Sequence, residues 1–321
     1  MHIYNSELKN INIGPLPPPI GGVSMHLFRA MEFYNIPCID VAKEGYKKSF
    51  IKMLSKYDII YLHDLSIRSL IILLPFIYFP FWHKELYVVN HNYSFFKKGE
   101  ARNWKWKNII KFVIKRSKKI LIVNESLRYE TSLLFPDKEI ILFDPFIPPN
   151  IKNEELEWLT YPQEIKDIIN NKLIISAAAW KLSNYHNIDL YGLDLLIELV
   201  KRIKNRINSF ILVFGLADEF YNLSYLNECK EIIKQNGIED NIYILSGQKQ
   251  MWPIIKISNL FIRPTYIDGD PISIKEALYF GVKVIASDCC PRDKRVVLFK
   301  NRDIDSLVNI VLNELLNNHN L

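Results

Sequence analysis

The chain has 321 residues, 49% of them apolar and 24% charged, which is normal for a soluble protein and ample for two cores of ordinary size. Its net charge of +6 favours anionic partners such as nucleotides or acidic membrane surfaces. That charge is well short of what a nucleic-acid-binding protein carries, and no zinc-finger or RNA-recognition signature occurs, so no nucleic-acid partner is expected. Cys38, Cys229, Cys289 and Cys290 lie in three separate regions with no C-x-x-C pair, which predicts reduced thiols in a cytoplasmic protein and no metal centre.

No secretory leader is read at the start, where Met1-His2-Ile3-Tyr4 runs into Glu7 and Lys9. Ile11 to Gly14 reads as a short strand, followed by a proline-rich turn, Pro15 to Pro19, and a helix opening at Gly21-Gly22-Val23-Ser24. Buried strands are predicted over 58–63, 86–91 and 119–124, and their alternation with helical segments argues for a parallel sheet covered on both faces. The most apolar stretch, Leu70 to Trp82, is too short for a bilayer, which takes about 20 residues, and Pro75 and Pro80 interrupt it. It is predicted as a buried helix; the alternative is a surface resting on a membrane, helped by Lys97, Lys98, Arg102, Lys105 and Lys107.

Proline-dense Asp144 to Asn150 marks a junction, so the predicted domains are residues 1–147, a linker region 148–170, and residues 171–321. The strand–helix pattern then restarts. Strands are predicted over 173–177, 210–215, 242–247 and 260–263, with an amphipathic helix over 193–207 and a closing helix over 303–316. The predicted class is α/β, two Rossmann-like domains facing a central cleft, with ligands at the carboxyl ends of the strands.

The densest chemistry lies in Arg263 to Asp288, RPTYIDGDPISIKEALYFGVKVIASD. Asp268-Gly269-Asp270-Pro271 is turn chemistry, Ile272 to Leu278 reads as helix, Gly281 ends it, and Val282 to Ala286 reads as a buried strand. A helix start of this kind turns free N–H groups toward an anion, while carboxylates hold hydroxyls; a sugar nucleotide needs both. Asp268, seven residues, then Glu276 resembles the E-x7-E motif of retaining glycosyltransferases of family 4, which have the GT-B fold. With Pro264, Gly269, Ala277, Gly281 and Ser287 in place, the segment is similar to a subgroup of bacterial surface-polysaccharide enzymes. Asp stands here in place of the first Glu.

The resemblance implies a role for several residues. Glu276 would accept hydrogen bonds from the ribose diol, for which a carboxylate has two oxygens. Asp268 would sit near the hydroxyls of the transferred sugar. Gly269, Asp270 and Pro271 would form the turn, with the N–H groups of Gly269 and Asp270 available to the sugar or phosphate, and Ser273 would cap the helix or touch phosphate. Gly21, Gly22, Val23 and His26 match a GG-V-x-x-H segment on the phosphate and acceptor side. His91, at a strand end, would contact the transferred sugar; His63 invites a similar proposal but would mainly support the fold. Lys181 would neutralise the pyrophosphate as a point charge. The second Lys of the family pattern is replaced by Tyr191, before Gly192-Leu193-Asp194-Leu195-Leu196, and the loop Ser183 to Leu190 is longer than usual; Arg263 is the candidate substitute cation. Gln248 would flank the base.

The function implied is a retaining, metal-independent transfer of sugar from a nucleotide-diphosphate sugar, with uridine as the base, to a saccharide hydroxyl. The co-substrate is the donor, and no other cofactor is expected. The family setting is cytoplasmic assembly of bacterial surface polysaccharide on a lipid-linked acceptor, with peripheral contact at the inner membrane face. Two other readings stay open: a GT-B sugar-nucleotide epimerase, and a non-catalytic partner that keeps the fold.

Overall fold

The structure is a computed structural model and describes Tyr4 and residues 7–54, 57–78, 84–91 and 104–317. The chain divides into two compact units, Met1–Ile147 and Pro148–Leu321.

In the first unit the elements run β1 (Asn10–Ile13), α1 (Gly22–Tyr34), β2 (Cys38–Ile39), α2 (Val41–Glu44), α3 (Tyr46–Leu54), β3 (Ile59–Leu62) and α4 (Ile67–Tyr78). Then follow β4 (Glu85–Asn90), α5 (Trp104–Arg116), β5 (Lys119–Ile122), α6 (Ser126–Leu134) and β6 (Glu139–Leu142). Every pairing is parallel, in the order β2-β1-β3-β4-β5-β6. Strands buried on both faces need continuous apolar runs, and Ile59-Ile60-Tyr61-Leu62 is fully buried. The order reverses between β1 and β3, the place where a doubly wound sheet opens a crevice at its carboxyl edge.

The apolar stretch expected as a buried helix begins earlier, at Ile67, and is only half buried. Leu70, Ile72, Leu73 and Phe76 face the core, while Ile67, Ile71 and Tyr78 face solvent. Pro75 is accommodated within the helix, on its exposed side. The rest of that stretch, Phe79 to Trp82, and three of the neighbouring cations, Lys97, Lys98 and Arg102, lie outside the described residues, as does the Lys105 side chain.

The second unit opens with a 3-10 turn (Ile151–Asn153), α7 (Glu154–Leu159) and α8 (Gln163–Ile168). Residues 148–170, expected as a linker region, are thus largely helical. Trp158, Tyr161 and Ile165 pack with Ile174, Ile211 and Val213 of the sheet, so apolar burial makes the segment part of this unit. The chain continues through β7 (Leu173–Lys181), β8 (Asn184–Tyr185), β9 (Ile188–Asp189), α9 (Leu193–Ile203), β10 (Phe210–Asp218) and α10 (Leu223–Gln235). It ends with β11 (Ile242–Ser246), α11 (Trp252–Lys256), β12 (Leu260–Arg263), α12 (Ile272–Tyr279), β13 (Lys283–Ser287), β14 (Val297–Phe299) and α13 (Ile304–Asn317). The main sheet is again all parallel, ordered β11-β10-β7-β12-β13-β14. Counted from β7, that is the 3-2-1-4-5-6 order of a Rossmann sheet, with its reversal between β7 and β12. The longer loop after β7 folds back as the β8–β9 hairpin.

Two of this unit's glycines with left-handed backbone differ in what surrounds them. Gly192, before α9, has φ +74°, and a Cβ there would lie 2.4 Å from the Pro264 carbonyl oxygen. Gly281, after α12, has the same φ with open space around it. Gly281→Ala should therefore cost only the conformational term, about 1–2 kcal/mol. Gly192→Ala adds a backbone clash and should cost about 2–5 kcal/mol in all. Urea unfolding of both variants checks this; equal losses would mean that Pro264 does not constrain position 192.

Candidate functional site

The carboxyl edge of the second sheet, at the β7/β12 reversal, is organised around Asp268. Arg263, the last residue of β12, points its guanidinium at this carboxylate through two hydrogen bonds, Nε to Oδ2 at 3.0 Å and Nη2 to Oδ1 at 3.1 Å. Its remaining Nη1 donates to the Ala178 carbonyl of β7 at 2.8 Å, which ties the two strands together at the reversal. A second guanidinium, Arg292, reaches Oδ2 at 3.1 Å from the loop after β13. Thr265 Oγ1 and the Gly269 N–H complete the set, each at 3.0 Å. Burial alone would push the Asp268 carboxyl up; the Arg263 charge and hydrogen bonds, then Arg292, outweigh it and hold the group down at about 2. The side chains of Arg263, Asp268 and Arg292 are only 11%, 10% and 3% exposed, so two positive charges and one negative charge share a nearly dry site.

This arrangement gives protein partners to groups that the sequence reading left to a ligand. Each nitrogen of the Arg263 guanidinium has a protein acceptor. Its guanidinium carbon lies 5.3 Å from the ring centre of Tyr191, the residue standing where the family has its second Lys. Asp268 likewise spends both oxygens on protein donors, including the Gly269 N–H that was expected to face the ligand.

The turn that follows is pinned from several sides. The Gly269 carbonyl accepts from Arg292 Nη1 and from the Cys290 thiol, each at 3.4 Å. Ser287 Oγ donates to the Thr265 carbonyl at 2.6 Å, and Asn301 Nδ2 to that of Tyr266 at 2.9 Å. Asp270 is exposed and pairs with Lys275. Pro271 is the N-cap of α12 and gives no side-chain cap, and Ser273 is half-buried in the first turn. Glu276 lies one turn further along and is buried at 6% exposure. The neighbouring α9 N-terminus is already filled: the Asp189 carboxylate accepts from the N–H groups of Tyr191, Gly192, Leu193 and Asp194 and from Tyr225 Oη.

Lys181 ends β7. Its ammonium lies 3.4 Å from the ring centre of Tyr221 and 4.8 Å from that of Trp180, and no carboxylate pairs with it among the described residues. Gln248 follows β11 and donates to the Ala217 carbonyl at 2.8 Å. Lys181 and Gln248 thus stand at the carboxyl ends of β7 and β11 on the same sheet edge, with β10 between them.

In the first unit, Gly21 is the N-cap of α1 in extended backbone, and Gly22 is the first helical residue. A Cβ on Gly21 would meet nothing nearer than Ser24 Oγ at 3.8 Å. His91, just past β4, belongs to a buried cluster that sequence reasoning did not assemble. His63 Nδ1 lies 2.9 Å from His91 Nε2, and His63 Nε2 lies 3.1 Å from the Asn12 carboxamide. Tyr4 Oη lies 3.4 Å from that carboxamide and 3.1 Å from His26 Nε2, and His26 Nδ1 lies 2.6 Å from the Pro145 carbonyl oxygen. Burial lowers all three rings: His26 to about 4, His91 to about 3, and His63 well below its ordinary value. They are neutral at pH 7. A cavity of about 380 Å³ opens along the same sheet edge, lined among others by Gly14, Asp40, Asp64, Ser66 and Arg68. The available signal for the cluster was that His63 and His91 each follow a strand of one parallel sheet.

Residues 172–318 match the family model for glycosyl transferases group 1. Over its whole length the chain is similar to solved glycosyltransferase structures. The Anabaena HepE complex with UDP and glucose superposes with a TM-score of 0.65 at 13% identity, over 97% of this chain and 91% of that one. The fold is GT-B. The lipopolysaccharide outer core galactosyltransferase WaaB gives a TM-score of 0.55 at 12% identity, over 97% and 91% of the two chains. An uncharacterized glycosyltransferase of Methanocaldococcus jannaschii is 28% identical over 99 residues, which are 30% of this chain and 23% of that protein. One from Haemophilus influenzae is 24% identical over 133 residues, 41% of this chain and 34% of that protein. The chain thus covers 23% and 34% of the length of these curated relatives. The structural likenesses show the GT-B fold, and the family match lies in the second unit.

Removing the central carboxylate should expose its weight. Asp268→Asn leaves two guanidinium groups buried against a neutral amide and should destabilise the second unit by about 3–5 kcal/mol at pH 7. Because the folded pKa is depressed, this contribution is complete above the unfolded carboxyl value of about 4 and fades as pH falls toward about 2. Urea unfolding of both proteins at pH 7 and pH 3 should show the gap narrowing at the lower pH.

Proposed function

We propose that this protein is a retaining, metal-independent glycosyltransferase that moves a sugar from a nucleotide-diphosphate sugar, with UDP as carrier, to a saccharide hydroxyl. The observation that carries the reading is the segment Arg263 to Glu276 at the strand-order reversal of a sheet matching glycosyl transferases group 1. There a turn held by a buried ion cluster leads into a helix whose first turn has no side-chain cap, with a buried carboxylate one turn on. A helix N-terminus of that kind suits a diphosphate, and Glu276 suits the two hydroxyls of a ribose.

As the glycosidic bond breaks, negative charge gathers on the departing diphosphate. In this reading it is met by Lys181, by the amides of Asp270 and the first turn of α12, and by the one positive charge that Arg263 and Arg292 hold in excess of Asp268. Asp268 acts by holding the turn rather than by touching sugar. In the first unit, Gly21 and Gly22 leave the α1 N-terminus without a capping side chain, which suits an anion. Uridine is proposed because HepE binds UDP and glucose on the same fold. A role in bacterial surface polysaccharide is proposed from the motif resemblance and from the likeness to WaaB.

The acceptor is proposed to be lipid-linked, with the first unit resting on an anionic membrane at the cytoplasmic face. Among the described residues no helix is long and apolar enough to cross a membrane. The support for a resting surface is an exposed apolar row on two contacting helices, Tyr46, Phe50, Ile51 and Leu54 of α3 with Ile67, Ile71 and Tyr78 of α4. Exposed Lys47 and Lys48 flank it, as do Lys111, Lys115 and Arg116 on α5, which contacts α4.

Two measurements test the reading. Glu276→Ala should weaken binding of the donor by about tenfold or more while the far-UV spectrum is retained, since a carboxylate to two hydroxyls is a charge-assisted pair. A panel of sugar nucleotides with and without EDTA should show release of nucleoside diphosphate that needs no divalent ion; interconversion of donors would instead mark an epimerase, and neither outcome a non-catalytic partner. Separately, the protein should co-sediment with vesicles containing phosphatidylglycerol more than with phosphatidylcholine alone, and Phe50→Glu with Ile71→Glu should abolish the difference.

A further inference from the structure

The four cysteines are of two kinds. Cys38 and Cys229 are 2% and 1% exposed, and burial pushes each thiol up to about 12, which makes them inert. Cys289 and Cys290 are neighbours in the loop between β13 and β14, and both are half-buried. Neither of these sulfurs has a part in sugar transfer, yet each is tied to the residues that hold the turn into α12. Arg292 Nη2 donates to Cys289 Sγ at 3.4 Å, while its Nη1 lies 3.1 Å from Asp268 Oδ2. The Cys290 thiol donates to the Gly269 carbonyl at 3.4 Å and lies within hydrogen-bonding reach of Cys289.

The two sulfurs are not equivalent. Thiolate, not thiol, is the nucleophile that reacts with an oxidant. Burial pushes the Cys290 thiol up to about 11, and its proton is committed to Gly269. Cys289 is left as the sulfur that meets an oxidant first. An oxygen added there arrives beside the Arg292 guanidinium, which is 3% exposed and whose buried Nε has no acceptor among the described residues.

We infer that Cys289 and Cys290 form a reversible oxidation site for hydroperoxides, in which Cys289 is oxidised, Cys290 resolves it, and the resulting disulfide loosens the turn into α12. With hydrogen peroxide, the Cys289 sulfur attacks one oxygen and the O–O bond breaks, giving a sulfenic acid and one water. The Cys290 sulfur then attacks the Cys289 sulfur. The S–S bond forms, the S–O bond breaks, and the departing hydroxyl leaves with the Cys290 proton as a second water. Two thiols lose two electrons and the peroxide gains them. Adjacent α-carbons are about 3.8 Å apart, nearer than the roughly 4.4–6.8 Å of relaxed disulfides. Such a ring is strained and readily reduced, which suits a switch better than a structural bridge. It has no S–H for the Gly269 carbonyl, and closing it moves both sulfurs, the partners of Gly269 and Arg292. The effect on donor binding rests on the glycosyltransferase reading; the oxidation does not.

Mass spectrometry of the full chain decides the site. After treatment with about one equivalent of hydrogen peroxide at pH 7, alkylation and tryptic digestion, the peptide spanning 284–292 should lack two hydrogens and take no alkyl group. Dithiothreitol should restore both thiols. Cys290→Ser should stop at a sulfenic acid on Cys289 that dimedone traps, and Cys289→Ser should leave Cys290 unmodified. Two alkylatable thiols after peroxide, a sulfinic acid without the disulfide, or a disulfide joining two chains would overturn the site. Calorimetry with UDP-glucose reads the coupling. The oxidised chain should bind about threefold to tenfold more weakly, with recovery in dithiothreitol. The same treatment should not change the affinity of Cys289→Ser, which separates the disulfide from oxidation elsewhere. Equal affinity of the oxidised and reduced native chain would refute the coupling. Should UDP-glucose bind neither form, the choice of ligand fails and urea unfolding decides the coupling: the oxidised chain should unfold at lower urea, and equal midpoints refute it.

Discussion

One buried carboxylate between two guanidinium groups governs the second unit's edge. Asp268, Arg263 and Arg292 come from the turn, from the last residue of β12 and from the loop after β13, and each is nearly closed to water. Burying three charges is unfavourable unless geometry and extra hydrogen bonds compensate. Here they do: Arg263 adds a strand-to-strand bond to Ala178, and Arg292 adds bonds to Gly269, Thr265 and Cys289. The same contacts that stabilise the charges therefore fix the path of the chain from β12 into α12. A turn containing Gly269 and Pro271 has few side chains of its own to order it, and the ion cluster supplies the order from outside. The helix that follows inherits its direction, and with it the aim of its first amides and the placement of Glu276.

The first unit solves a similar problem with neutral groups. Its sheet also reverses, between β1 and β3, and polar side chains gather at that edge. There the residues are Asn12, His26, His63, His91 and Tyr4, and burial keeps the rings uncharged. The two edges thus differ in electrostatic character: one carries a surplus cation, the other only neutral rings.

The legible parts of the sequence were those governed by local chemistry. The Asp268 to Pro271 turn, the α12 helix, the Gly281 stop and the β13 strand follow from glycine, proline and apolar runs within a few residues. The short edge strands β2 and β14 and the β8–β9 hairpin were not legible, because two or three residues carry no periodicity to read. Arg263 was recognised as a functional cation, but its pairing with Asp268 was not foreseen. Its carboxylate is five positions away around a turn, and spacing alone does not tell a protein acceptor from a ligand phosphate. Arg292 was missed altogether, because only the parallel crossover brings the loop after β13 back to β12. The histidines were seen singly, since their contacts depend on the order of β1, β3 and β4 in the sheet, and that order is a tertiary fact.

The glycines differ in whether the protein's own packing requires them. At Gly192 the protein itself forbids a side chain, since a Cβ would fall 2.4 Å from the Pro264 carbonyl oxygen; at Gly215 a Cβ would fall 2.3 Å from Met251 Sδ, and that side chain would have to move. Gly21 has neither constraint. Its φ of −159° is open to any residue, and the space beside it is empty to 3.8 Å. It also occupies an N-cap, where Ser, Asp or Asn would accept from the first amides of α1 and stabilise the helix by about 1 kcal/mol relative to a residue without a capping side chain. Ser24 already reaches back to the Gly21 N–H at 2.9 Å, so half of a capping box is built and the other half is left out. A bare N-cap serves no packing need within the unit. It leaves the amides of a 13-residue helix uncovered at the carboxyl edge of β1, which is the condition for an anion to take the place of the missing side chain.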